Sequence, residues 1–415
     1  MSGAGPSRHR VAADGDGRGR PALLRTINQR ALLEHLRHVG TASRAELARR
    51  SGLSKPTVSE ALAELEAAGL VRPAGSPPPA RGRTPALYEL DPTAAYVVGI
   101  DIGRAYVRIA AADLSGDVVA RQDRRNRARS AATLVRAVAD DAHEVVAGAG
   151  LSWADVAHTV VGSPGVFDPA TGRLRHAPNL PGWSRPGLVD ELRAELATSI
   201  AVENDVNLAA MGELAHGHGR AAPTFAYLSV GTGIGLGIVI DGALYRGAHG
   251  AAGEVAFLPL DGAGGQGPGG RPAPDTRLRG ILEEAASAEA VVRAARELGV
   301  EHASSAKRVF AAARAGEAPA RAVVRAEAER LALVVATVVA VVDPQLVVLG
   351  GGVGRNLDVL RPVLEARLRE LVPLSAEVVE SELGEDAVVL GAIAAALETA
   401  RELVFRRAAA GRLAG

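Results

Sequence analysis

Four segments of the chain carry residue types that can share one chemistry. Asp101-Ile102-Gly103 sets a carboxylate before a tight glycine turn, an arrangement that brings backbone close to a nucleotide's phosphates and their metal. Gly231-Thr232-Gly233-Ile234-Gly235-Leu236-Gly237 offers unhindered backbone N–H groups, the usual means of cradling phosphate. A plain β-hairpin uses the same residues. Glu203-Asn204-Asp205-Val206-Asn207 concentrates carboxylates and amides between a strand and a helix, where α/β proteins bind ligands. Gly250-Ala251-Ala252-Gly253-Glu254 and Leu282-Glu283-Glu284-Ala285-Ala286-Ser287 add further carboxylates. Carboxylates and amides in pairs suit a polyol, because each grips two adjacent hydroxyls. Any one of these carboxylates, taken singly, reads first as a solvated helix end.

Strands and helices must hold these segments together. Tyr96 to Gly103 reads as a buried strand ending in a glycine turn, followed by strands at Val107 to Ala112 and Val118 to Ala120 and a helix over Ala131 to Ala149. Further strands are expected at Val156 to Gly162, Ile200 to Val202, Phe225 to Val230, Ile234 to Ile240 and Leu346 to Leu349, the last running into Gly350-Gly351-Gly352. Alternating strands and helices indicate an α/β fold. The strand–strand–strand–helix order near residue 96 returns near 225, which predicts two related lobes with a cleft between them.

The first ninety residues have another character. Residues 1–21 are rich in Gly, Arg, Ser and Pro without periodicity and read as a disordered tail. Over 22–92 the pattern is that of a winged helix-turn-helix. Ile27, Leu32, Leu33, Leu36 and Val39 recur at helical spacing up to Gly40. Ser43-Arg44-Ala45-Glu46 forms a capping box for a short second helix. Ser54 caps a third, with Pro56 in its first turn and Val58, Leu62 and Leu65 as its buried stripe. Leu70 to Arg72 and Ala86 to Leu90 then flank a Pro/Gly loop as a wing. The expected contacts to double-stranded DNA are Arg44, Ser54, Lys55, Thr57 and Ser59 around the third helix's N-terminus, with Arg81 and Arg83 at the wing tip for a minor groove. A small helical cap with a linker is the plainer alternative.

Composition narrows the classes. The 415 residues include no cysteine, which excludes disulfides, thiolate zinc sites and cysteine nucleophiles. The longest apolar run, Leu331 to Val342, is too short to span a bilayer, and no signal-peptide core opens the chain, so a cytoplasmic protein with no membrane partner is expected. The net charge of zero conceals 14 basic against 8 acidic residues over 1–90, a basic front on an acidic body.

Taken in order, Asp101-Ile102-Gly103, Ser163-Pro164-Gly165-Val166-Phe167-Asp168, Asn179-Leu180-Pro181-Gly182-Trp183, Glu203-Asn204-Asp205, Gly231 to Gly237, Gly253-Glu254 and Gly350-Gly351-Gly352-Val353 resemble the ROK family of repressors and sugar kinases. The resemblance spans roughly residues 22–400. It implies an actin-like (RNase H-like) two-lobed α/β module over 93–405, and the preceding winged helix is similar to the repressor branch. It further implies that Asn204 and Asp205 contact sugar, with Asp205 at the position of the kinases' catalytic base. Glu254 and Glu283 are then carboxylates for sugar hydroxyls, and Gly165 and Asn179 form the pocket rim. Three departures stand out. Arg104 and Ala105 replace a glycine and a hydroxyl residue after Asp101-Ile102-Gly103, and Leu236 replaces a glycine of the second loop. Arg104 there either receives an anion or closes the empty site with a salt bridge. Phe257 and the Gly/Pro stretch 262–274 stand where the family carries a histidine and cysteines for zinc. The expectation is therefore a sugar-responsive repressor, a homodimer or homotetramer on an operator, with no catalytic residue in use, no metal and no cofactor. An active ATP-dependent sugar kinase with a regulatory head, and a module that only dimerises, are the alternatives.

Overall fold

The computed structural model describes residues 19–74, 86–168, 170–177, 180–259 and 280–411, with side chains from 24 to 407. The chain divides into two compact units, one ending at Ala94 and completed by residues from Leu403 onward, the other Ala95–Glu402. The expected tail falls outside the described residues up to 18, and helix α1 (Gly19–Val39) already covers its last part.

In the first unit α1 is followed by β1 (Thr41–Ser43), α2 (Arg44–Ser51), α3 (Lys55–Ala67), β2 (Val71–Pro73) and β3 (Leu87–Leu90). The three strands pair antiparallel in the order β1-β3-β2, so the wing is a three-stranded sheet rather than two strands. Gly52 sits at φ 71° between α2 and α3, a left-handed conformation that costs glycine nothing. Leu32, Leu36, Leu47, Val58, Leu62 and Leu65 are buried together, and Val404 and Phe405 pack into the same core. Ile27 departs from the expected stripe and is exposed, because the core begins one turn later at Leu32.

The second unit holds two lobes of like topology. The first contains β4 (Tyr96–Ile102), β5 (Tyr106–Asp113), β6 (Val118–Arg125), α4 (Ala131–Gly148), β7 (Val156–Ser163), β8 (Val166–Asp168), β9 (Arg173–Arg175), α5 (Leu188–Leu196) and β10 (Ile200–Asn204). Helix α6 (Asp205–His216) leads into the second, with β11 (Phe225–Val230), β12 (Ile234–Ile240), β13 (Ala243–Leu244), α7 (Ile281–Ala286), α8 (Ala288–Glu297), α9 (Ala306–Arg314), α10 (Ala318–Val342), β14 (Leu346–Gly350), α11 (Gly351–Gly354), α12 (Leu357–Leu371), β15 (Glu377–Glu380) and, as far as Glu402, α13 (Ala387–Gly411). Each sheet joins an antiparallel three-strand meander to two parallel strands, in the orders β6-β5-β4-β7-β10 and β13-β12-β11-β14-β15. The repeat expected from residues 96 and 225 is thus present. Parallel β7 is buried along its whole length, as a strand covered on both faces must be.

The alternating sequence Gly233-x-Gly235-x-Gly237 belongs to this architecture. From Ile234 onward the segment is strand, so its residues alternate between faces. Ile234, Leu236 and Ile238 enter the lobe's core. Gly235 and Gly237 face α6, where an added Cβ would come within 2.9 Å of Val206 Cγ2 and 2.7 Å of Ala210 Cβ. Leu236 is therefore a core residue of the strand expected over Ile234 to Ile240, and the turn before it is Gly231 to Gly233. Bare backbone also seats α6 on its other sides. A side chain at Gly391 of α13 would collide with the carbonyl oxygen of Leu208, and one at Gly212 with that of Ala387.

Candidate functional site

Packing fixes α6, and α6 presents the site. Asn204 is its N-cap: Oδ1 accepts from the backbone N–H of Val206 at 2.9 Å and of Asn207 at 3.1 Å. The Asn204 amide donates to Gly165 O at 3.0 Å. Gly165 has φ 91°, and a side chain there would strike the carbonyl of Arg175, so only glycine brings that rim close. Glu203 accepts from Asn207 Nδ2 at 2.9 Å and pairs with Arg246 at 2.6 Å.

A cavity of about 400 Å³ opens above this helix end. Gly165, Asn204, Asp205, Glu254 and Glu283, five of the six expected sugar-facing residues, line it together. Asn179 lies outside the described residues. Gly103, Arg104, Ala105, Tyr106 and Arg108 form one wall, and the turn Gly231 to Gly233 with Gly351 and Gly352 another. Gly253 holds φ 87°, with its missing side chain occupied by the Leu236 carbonyl, and so aims Glu254 inward. Glu283 is buried and accepts from Ile234 N at 3.2 Å, which ties it to the start of β12.

The electrostatics of the pocket are those of carboxylates taken out of water. Burial, then the neighbouring charges of Asp101 and Glu254, push Asp205 up to about 7. Burial raises Glu254 as well. Asp101 behaves differently from the expectation. It stands directly opposite Arg108 across the β4–β5 pair, and Arg108 Nη1 lies 3.1 Å from its carboxylate. Burial lifts Asp101 to about 6 against the pull of Arg108. Arg108 also reaches Glu385 at 2.7 Å and Asp123 at 3.6 Å. Arg108, and not Asp101, faces the cavity. Arg104 Nη1 pairs with Glu289 Oε1 at 2.9 Å, so a salt bridge spans from the β4–β5 turn to the first turn of α8. Among the described residues no group of three or more His, Asp or Glu side chains is placed to hold a metal ion.

Sequence reasoning passed over Arg108, Glu289 and His176. Arg108 was within reach: a tight turn after Ile102 counts it directly opposite Asp101. His176 and Phe257 also line the cavity, their rings 6.1 Å apart edge to face. Their meeting depends on tertiary folding alone.

At the expected DNA surface, Ser54 Oγ caps α3, accepting from Thr57 N at 3.3 Å and sharing a hydrogen with Thr57 Oγ1 at 2.8 Å. Both hydroxyls are thus engaged within the helix end. The Ser43 cap forms, accepting from Glu46 N at 3.2 Å, while the Glu46 carboxylate turns to Arg50 at 3.2 Å instead of closing the box. Arg44 hydrogen-bonds Tyr88 and lies 5.1 Å over its ring, bracing α2 against β3. Lys55 is exposed and Ser59 half-buried. Arg81 and Arg83 lie outside the described residues.

Two family models match the chain, one described as ROK family over residues 97–399 and one as MarR family over residues 25–82. A glucokinase of Halalkalibacterium halodurans is 32% identical over 315 residues, 71% of this chain and 93% of that protein. A xylose repressor of Caldicellulosiruptor bescii is 28% identical over 395 residues, 91% of this chain and 96% of the repressor. The crystal structure of a ROK family transcriptional regulator, a homolog of the E. coli MLC protein, shares the fold with a TM-score of 0.75 at 22% identity, covering 93% of this chain and 99% of that one. A helix-turn-helix region followed by an actin-like two-lobed α/β module is therefore the fold of this protein.

Proposed function

The chain belongs to the ROK family, and from that premise we propose that it is a DNA-binding transcriptional regulator, a repressor of carbohydrate-metabolism genes, governed by a sugar or sugar derivative bound in its cleft. The observation that carries this reading is the union of a MarR-type winged helix with a ROK module along one chain, the organisation shared with a xylose repressor over nine-tenths of its length. The partners are double-stranded operator DNA, the effector and a second or further copies of the chain, acting in the cytoplasm where the DNA is. A two-fold dimer sets recognition helices about 34 Å apart, one turn of duplex. Ligand shifts the DNA affinity only through unequal affinity for two conformations.

The site supports a binding role over a catalytic one. Arg108 pairs with Asp101 and lines the cavity in its place, whereas a phosphate-handling carboxylate would need to be free. Arg104 crosses the phosphate side with its bridge to Glu289. Asn204, Asp205 and Glu254 remain gathered and suited to hydroxyls.

Gel shifts of the purified protein on the DNA upstream of its own gene, with and without a sugar panel, test the reading. A sequence-specific complex whose affinity changes with one sugar is expected. No specific complex at moderate salt refutes it. The second reading, an ATP-dependent sugar kinase with a regulatory head, draws on Asp205 at the helix end in the cleft and on the glucokinase relative. ADP release on sugar addition, abolished by Asp205→Asn, would establish that activity instead.

A further inference from the structure

Aromatic side chains are scarce in this chain, and it buries most of them. Of its five phenylalanines, Phe225, Phe310 and Phe405 lie inside hydrophobic cores and Phe167 packs against one. Phe257 differs: its ring is 40% exposed, in the cavity it shares with Asn204, Asp205 and Glu254. The backbone holds it there. Val255–Phe257 is a single 3-10 turn, in which the Phe257 N–H donates to Glu254 O at 3.3 Å. Val255 packs against the lobe's core and Ala256 is buried. A side chain at Gly280 would strike the Ala256 carbonyl and come within 3.0 Å of Phe257 N, so bare backbone clamps the turn from behind. Side chains three apart on such a turn eclipse one another. Glu254 and Phe257 are three apart and both line the cavity, which sets a carboxyl and a phenyl ring side by side.

His176 meets this ring from the other lobe. It follows β9 and holds φ 54°, a conformation uncommon outside glycine. Its imidazole lies edge to face with Phe257, ring centres 6.1 Å apart. The backbone around it is pinned: a Cβ on Gly165 would come within 3.1 Å of His176 O, and Ala177 N donates to Ser184 Oγ at 3.2 Å. A hydroxyl held by Glu254 carries the neighbouring carbon of a sugar toward the phenyl face. A second hydroxyl on that carbon would give up water against hydrocarbon, which is costly. A hydrogen or a methyl group in its place covers the ring and is favoured by burial.

We propose that Phe257, with His176 as its positioning residue, determines the specificity of this cleft, and that the effector is a monosaccharide deoxygenated or methylated at the carbon beside the hydroxyl that Glu254 holds. The inference rests on the reading of the cleft as a sugar effector site and adds which part of the sugar is recognised as hydrocarbon. Asn204, Asp205 and Glu254 demand hydroxyls, and Phe257 demands that one be missing or capped.

The test is calorimetric titration of the whole protein with free hexoses and pentoses, each beside its monodeoxy and mono-O-methyl analogues at every carbon. For one parent sugar, modification at a single carbon is expected to tighten binding about fivefold, the effect of covering the exposed part of one phenyl ring, while modification at the other carbons weakens it. Phe257→Ala should abolish that preference, and Phe257→Asn, which offers a donor and an acceptor, should reverse it toward the parent sugar. His176→Ala should reduce the preference and His176→Phe, which keeps a ring against Phe257, should retain it. The urea midpoint of each variant reports that it is folded. A parent sugar that binds as tightly as all of its analogues, or a preference untouched by Phe257→Ala, overturns the inference while the effector reading stands. Failure of every sugar and every analogue alike overturns both.

Discussion

Asp205 offers the sharpest test of the cleft's electrostatics. Its carboxyl is pushed from 3.8 to about 7 by burial and by the charges of Asp101 and Glu254. A group whose folded pKa lies above its unfolded one stabilises the fold below the unfolded value and loses that contribution as pH rises through the folded value. Each unit is worth about 1.4 kcal/mol, so complete ionisation costs about 4 kcal/mol. Asp205 retains some contact with solvent, which reduces the cost to about 2–3 kcal/mol. Asp205→Asn imitates the protonated form and escapes the penalty. Its stability relative to the native chain should therefore grow by about 2 kcal/mol between pH 5 and pH 8, whatever its offset at pH 5. Urea unfolding followed by tryptophan fluorescence is the assay, because both tryptophans, Trp153 and Trp183, belong to the second unit and Trp183 is fully buried in its first lobe. A gap that stays flat or narrows with pH refutes the reasoning, since Asp205 would then be ionised throughout and stabilised by a group not yet recognised.

Three further variants address the frame. Gly391→Ala drives a methyl into the Leu208 carbonyl and should cost about 3 kcal/mol or more, read as a lower urea midpoint of the tryptophan transition; a loss under 1 kcal/mol would mean that α6 and α13 separate easily. Glu213 is fully buried and accepts from Ser381 Oγ at 2.5 Å and His218 N at 3.1 Å, so Glu213→Gln, which turns an acceptor into a donor, should cost about 2 kcal/mol in the same assay. Lys55→Ala should weaken DNA binding on specific and unrelated sequences alike and lower the slope of log affinity against log salt by about 1, as expected for one lost phosphate contact; an unchanged slope places Lys55 away from the backbone.

What the sequence disclosed follows from the range of the forces involved. Strands β11 and β12 and helix α4 were readable from local runs of Val, Ile, Leu and Ala, and the helix-turn-helix from its serine caps and Gly52, because propensity and capping act within one turn. Gly165, Asn204, Asp205, Glu254 and Glu283 were readable as a family pattern, and one cavity gathers them. The glycines of 231–237 left two readings open, because a phosphate turn and a strand that admits a helix demand the same residue. Only the change of face at Ile234 separates them. Arg104 and Glu289 are 185 positions apart in the chain, and no local signal links them.

The two sides of the cleft are held in place by different means. Asn204 and Asp205 sit at the tip of α6, and α6 is held by Gly235 and Gly237 of β12 and by Gly391 of α13, all contacts that a single methyl would break. Gly162 of β7 meets Leu208 in the same way, its missing Cβ within 2.9 Å of Leu208 Cδ1. Substitution at these glycines threatens the whole lobe, so the helix tip is preserved with the fold, whatever ligand the cleft takes. Arg104 lies at an exposed turn, where a substitution costs the core nothing. Side chains of the β4–β5 turn can therefore change without disturbing the fold, whereas Asn204 and Asp205 stay bound to its packing.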